Sequence, residues 1–364
     1  MERMRKGLVG GARLWMALVA VAATTGAAAD DVAKIAGDPA TAQLGDGLYT
    51  GAAILAECAT VWPVYTSAEL ADVGDDFVSL ADAQAAGHAS IRETSEGSVN
   101  TLVVENTGSR PILVLAGTLL KGGKQDRQVG QDFVVPAKAI VSADAFCVEH
   151  GRWTASREGG DTAGYFEAKK SLATKSVRKK AQYESDQSGV WDEVAKENER
   201  AGKAPGSGTL LATVEDADLK AAVRRERVEK RIREALAAAK GRGLRPVGLA
   251  YAVAGKVREV RVFTHPRIFD RFEETLAATI ALEELQGFRA SRGGSGACRP
   301  GDVKKVVALV QGTSSAEAKS RSQKVKNKSG GVNEKREIDD MLSSECMPSP
   351  EAKKGVTKSF MYAE

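Results

Sequence analysis

Two short stretches of this chain carry most of its polar chemistry. Residues 117–127 read GTLLKGGKQDR, and residues 146–153 read FCVEHGRW. Lys121, Lys124 and Arg127 sit around a Gly122-Gly123 pair, which suits a tight turn with positive φ. Basic groups beside exposed backbone N–H groups hold phosphates and carboxylates, and an Arg fork does so bidentately. Gln125 and Asp126 add an amide and a carboxylate, and the second stretch adds Cys147, Glu149, His150, Arg152 and Trp153. One reading is a ligand site made by Lys121, Gly122, Gly123, Lys124, Gln125, Arg127, Arg152 and Trp153. A second reading is a hydrolase or transferase, with Glu149 or Asp126 as general base, His150 as the acid or orienting group, and Arg127 and Arg152 stabilising charge. A third is structural, an ion-pair network with Asp126 on Arg127 and Trp153 packed over the sheet edge.

If 140–148 is a strand that persists through the second stretch, alternate side chains share a face. Cys147 and Glu149 then point one way, and His150 pairs with Arg152 on the other. That parity disfavours a Cys147–His150 nucleophile and base. Eighteen residues separate the two stretches, and 133–136 between them is strand-like, so the two are expected side by side. On the ligand reading, Arg127→Ala is expected to cost binding more than stability.

The elements that must position these residues follow from pattern. Runs 60–65, 89–94, 101–105, 111–116, 128–135 and 140–148 are short, β-branched or alternating, and turn residues separate them. That pattern predicts an antiparallel sandwich or barrel. Residues 79–86 form a short helix with Ser79 as N-cap. Residues 154–210 are polar, with a helix at 191–200. A helix follows over 216–240, then a hairpin with strands 247–253 and 256–263, then a helix over 266–286 ending at Gly287. Run 303–310 reads as a strand, 312–356 as an extended loop, and 356–362 as an edge strand. The expected fold is α+β: a β-rich antiparallel N-terminal half and a helical and hairpin C-terminal half packed as one unit.

Bulk properties bound the function. The chain has 364 residues, with 52 basic and 48 acidic side chains. Residues 1–29 combine a basic start, an apolar run and Ala27-Ala28-Ala29, the three parts of a cleavable signal, so the chain is expected in the periplasm or secreted. Without them 48 basic and 47 acidic residues remain, which argues against a nucleic-acid footprint. No later segment is apolar enough to span a membrane. Residues 30–50 read as a flexible leader, 51–290 as the domain, and 291–364 as a Ser/Lys-rich extension. Four cysteines without CxxC and three histidines without HExxH offer no metal motif, and nothing specifies a cofactor. In an exported chain the expected disulfide is Cys298–Cys346, the two cysteines of the C-terminal region.

VVENTGSRPILVLAGTLLKGGKQDR, FVVPAKA and FCVEHGRW together resemble the ARG-and-rhodanese-phosphatase-superfamily-associated protein domain, a bacterial family without an established activity. GLAYAVAGKVREVRVFTHPRIFDRFEETLAATIALEEL resembles its later half. The resemblance covers roughly residues 50–290. It implies that Gly122 to Arg127 and Cys147 to Trp153 are signature positions, forming a shared site or a shared structural node.

Overall fold

A computed structural model describes residues 41–67, 77–94, 100–154, 156–157, 160–161, 164–203, 208–290, 298–352 and 354–363, with backbone alone at 156–157 and 160–161. The expected signal, residues 1–29, and residues 30–40 of the expected leader lie outside these.

Ten of the described strands make one antiparallel sheet. Its order is Gln43–Gly45, Leu48–Thr50, Ala59–Thr66, Gly248–Val253, Lys256–Phe263, Thr357–Tyr362, Met341–Met347, Val332–Ile338 and Gln323–Lys326, with Ile54–Ala56 also paired to Ala59–Thr66. Alternation sorts its two faces. Trp62, Val64, Ala250, Val260, Val262 and Phe360 pack against helix Val303–Ser314 through Val306, Leu309 and Val310. The opposite face, with Val61, Leu249, Tyr251, Val253 and Phe263, packs against helices Leu219–Gly241 and Pro266–Ala290.

A second, six-stranded sheet runs Phe166–Leu172, Thr118–Gly122, Arg127–Val129, Ile140–Cys147, Thr101–Asn106 and Ala89–Glu93. A bridge between Arg92 and Tyr165 brings its two edges together, so it curls almost into a barrel. Strands Val78–Ser79, Ile112–Val114 and Phe133–Val135 and helix Leu80–Ala85 complete its core. Ser79 caps that helix, accepting from Asp82 N at 3.1 Å. The fold is therefore α+β, as its alternating and 3.6-period segments imply.

Five local expectations change. Residues 43–50 are two paired strands at the sheet edge, not leader, because Leu44 and Thr50 find buried places there. Residues 303–314 are a helix: Asp302 caps it through Lys304 N at 2.9 Å, and Val306, Leu309, Val310 and Thr313 fall on one face. An apolar run this short fits either period, and the cap decides. Strands Gln323–Lys326, Val332–Ile338 and Met341–Met347 occupy the expected loop, and Thr357–Tyr362 is interior to the sheet rather than at its edge. Helix Pro266–Ala290 runs past Gly287, which lies inside it because a Cβ there would fall 2.5 Å from Val253 Cγ1.

The disulfide joins Cys58 to Cys298, while Cys147 and Cys346 are buried free thiols. This corrects the expected Cys298–Cys346 bond. After the long helix the chain crosses the Ala254-Gly255 turn, where Gly255 meets Arg299 and Ala254 N donates to Cys58 O. Cys346 is instead locked inside the sheet, paired with Asn333 and Thr357.

Candidate functional site

Gly117–Arg127 and Phe146–Trp153 do lie side by side. Arg127 pairs with Cys147 and Gln128 with Phe146 in antiparallel register. The turn before Arg127 depends on its glycines. Gly122 has φ +134°, and Gly123 has φ +52°; a Cβ would meet Tyr165 O at 2.3 Å in the first case and the Phe166 ring at 2.2 Å in the second.

The polar side chains behind this turn are engaged with one another. Arg152 forks onto Glu149, with Nε to Oε1 at 2.8 Å and Nη2 to Oε2 at 2.7 Å. Its Nη1 also donates to Gly123 O at 2.9 Å and Thr154 O at 2.7 Å. Glu149 Oε2 accepts from Asp126 N at 2.9 Å. Asp126 accepts from Gly122 N at 3.0 Å and from Thr209 Oγ1 at 2.6 Å. Gln125 Nε2 donates to Glu149 O at 3.0 Å. Arg127 is only 1% exposed; its Nη1 donates to Gln125 O at 3.1 Å, and Nη2 is 3.9 Å from Glu93. The two stretches therefore form a clasp in which most polar groups of each strand meet the other's, while Arg127 Nε is buried without a hydrogen-bond partner.

Strand parity does not persist beyond Cys147. Gly151, with φ +94°, turns the chain, so Arg152 folds back on Glu149 and not on His150. His150 instead packs edge-on against Trp191, with ring centroids 4.8 Å apart. It lines a separate groove of about 860 Å³ with Trp191, Asp192, Asn198 and Lys203. Glu149 and Asp126 thus share one node while His150 faces another element, so the three acid–base candidates do not converge. Nor does Asp126 pair with Arg127 by hydrogen bonds: its oxygens go to Gly122 and Thr209. Burial pushes the Cys147 thiol up, against the opposing charge of Arg127, which suits an inert interior cysteine.

Two signature residues remain outward. Lys124 Nζ lies 5.5 Å from the Trp153 ring centroid, while its backbone N–H is fixed to Glu93 Oε1 at 2.9 Å. Trp153 is 49% exposed. Lys121 is half-buried and pairs with Glu215 at 2.7 Å. Among the described residues, no cluster of three or more His, Cys, Asp or Glu is placed to hold a metal, and no helix is long and apolar enough to cross a membrane.

Sequence reasoning missed a second charged network, which joins the curled sheet to the large one. Asp132 receives Arg261 Nη1 at 3.0 Å, Arg261 Nε donates to Glu259 at 2.9 Å, and Arg178 Nη2 reaches Glu259 at 2.9 Å. All four side chains are buried. Burial opposes the charge on Glu259, but Arg178 and Arg261 outweigh it and hold its pKa down at about 2. The available signal was Glu259 and Arg261 at alternate places in the strand run VREVRVF, on the face that Arg258 does not share. The partners, Asp132 and Arg178, are too distant in sequence to read.

A curled sheet clasped by two polar stretches and welded by buried charge to a large helix-covered sheet defines a single α+β domain. The chain belongs to the ARG and Rhodanese-Phosphatase-superfamily-associated Protein domain family, whose model matches residues 48–347. That match takes in strands 323–347, so much of the expected C-terminal extension is part of the domain. No curated protein and no solved structure matches the chain.

Proposed function

We propose that this protein is an exported binding module that takes an acidic group at the outer edge of the clasp, where Lys124 and Trp153 meet. One observation carries this reading. The ammonium of Lys124 has no ion-pair partner among the described residues, whereas Arg127, Arg152, Asp126 and Glu149 are turned into the protein. The glycine turn and the Arg152 fork act as scaffolding that holds a cation beside an exposed ring. A cation with an adjacent aromatic face suits a carboxylate or phosphate attached to an apolar or sugar-like body. Such an edge fits a small anion or an acidic group on a macromolecule. The Cys58–Cys298 bond accords with export to an oxidising compartment.

Binding is tested by titrating the protein with citrate and with poly-L-glutamate at constant ionic strength. Saturable binding that Lys124→Ala abolishes supports the reading; binding unchanged in Lys124→Ala refutes it. Preference between the two probes separates a small ligand from a macromolecular one. N-terminal sequencing of protein from the envelope fraction tests export, with Asp30 expected first and an intact Met1 in the cytosol contradicting it.

A further inference from the structure

A different set of buried groups points to a second site. Four cross-strand neighbours run across the large sheet on the face that meets the curled sheet: Arg261 opposite Ser359, Ser359 opposite Ser344, and Ser344 opposite Lys335. Cross-strand partners share a face, so their side chains stand in one row. Above the row lies the end of helix Lys175–Gln182. Lys335 Nζ donates to Gln182 O and sits 5.6 Å from the Tyr183 ring centroid; Gln131 Nε2 donates to the same carbonyl at 2.9 Å.

This seam holds an unusual concentration of unpaired polar atoms. Arg261 Nη2, Ser344 Oγ, Ser359 Oγ, Gln131 Oε1 and both amide atoms of Gln182 are buried without a hydrogen-bond partner. The Tyr183 hydroxyl faces Ser359, but not at hydrogen-bonding geometry. Arg261 is 1% exposed, and its other two donor nitrogens are already committed to Asp132 and Glu259. Folded proteins rarely leave such groups unmet, and several in one place imply a shared partner. Most of these atoms donate, or can. The carboxylates Asp132 and Glu259 are balanced by Arg261 and Arg178, and Lys335 adds a positive charge that feels Asp144 but forms no ion pair among the described residues. Burial lowers Lys335 to about 8, so a neighbouring anion would favour its charged form. Two serines side by side are also the smallest hydroxyl side chains this position could carry.

We propose that the row Arg261–Ser359–Ser344–Lys335 is a binding site for a small tetrahedral oxyanion of the phosphate or sulfate class. Arg261 Nη2 and Lys335 supply charge, and the two serine hydroxyls and the Gln182 amide supply neutral donors. The site is separate from the Lys124–Trp153 edge and does not depend on it.

The test titrates the intact, oxidised protein with inorganic phosphate at pH 7 and constant ionic strength, using chloride as control and reading melting temperature and binding heat. A ligand of the native state raises the melting temperature saturably. Lys335→Met keeps the stem and removes the charge; Ser344→Val fills the row and removes a donor. Both are expected to weaken phosphate binding at least tenfold, and Lys220→Ala, at an exposed lysine of helix Leu219–Gly241, is expected to leave it unchanged. The folded state of each variant is checked by its melting curve without phosphate, so that either one alone decides. No saturable effect in the wild type overturns the proposal. So does an equal effect in whichever variant folds, or an effect lost only in Lys220→Ala.

Discussion

Arg152 and Glu149 form a two-point fork at 2.8 and 2.7 Å, and the same guanidinium reaches back to the carbonyl of Gly123. One side chain thereby ties the second polar stretch to the turn of the first. Because both partners are largely buried, removing either leaves a charge uncompensated. Arg152→Ala is expected to destabilise the domain by about 3 kcal/mol, within the range for broken buried pairs. Arg152→Lys should recover only part, since an ammonium cannot make the fork. Denaturant melts of the three proteins check this.

Arg127 illustrates how placement changes an expectation. By type and spacing it reads as a ligand fork, so Arg127→Ala should spare stability. At 1% exposure, between Gln125 and Glu93, it is an interior group. Arg127→Ala is now expected to lower stability by roughly 3 kcal/mol. An unchanged melting temperature would return it to the ligand site.

The two glycine classes give a contrasting pair. Gly123→Ala meets the Phe166 ring and a left-handed backbone together, and should cost about 2–4 kcal/mol. Gly151→Ala faces open space, so only the backbone term of about 1 kcal/mol applies. Equal costs in thermal melts would contradict the crowded turn.

The adjacency of the two stretches was legible because a strand-like run of fitting length separates them. The hairpin with strands Gly248–Val253 and Lys256–Phe263 and the Ser79 cap were legible for similar local reasons. What was not legible depended on distance or ambiguity. Helix Val303–Ser314 carries an apolar run that suits either period. Strand Val332–Ile338 buries only Asn333, Arg336 and Ile338, two of them polar, so its composition resembles a loop. The Asp132–Arg261 pair spans 129 positions, and the Cys58–Cys298 bond spans 240. Gly151 could be seen as a turn, but which partner it delivers to Arg152 could not.

Helix Gln187–Arg200 carries a pH-sensitive group. Burial first, and the nearby Glu283 charge second, push Glu197 up to about 7 from 4.5. An acid raised in the folded state contributes stability that is complete below the unfolded value and is lost as pH rises through the folded one. Relative to Glu197→Gln, the wild type should therefore lose stability between about pH 4.5 and 7, by an amount of order 3 kcal/mol. Parallel stability profiles for the two proteins across that window would remove Glu197 as the cause.

The central claim is that the clasp is scaffold and the Lys124–Trp153 edge is the binding surface. The most direct measurement compares one double variant, Lys124→Ala with Trp153→Ala, against wild type in both a melting curve and a poly-L-glutamate titration. The account predicts a melting temperature nearly unchanged and binding lost, because both side chains lie outside the buried network. A large fall in melting temperature, or binding that survives in the folded variant, would contradict it.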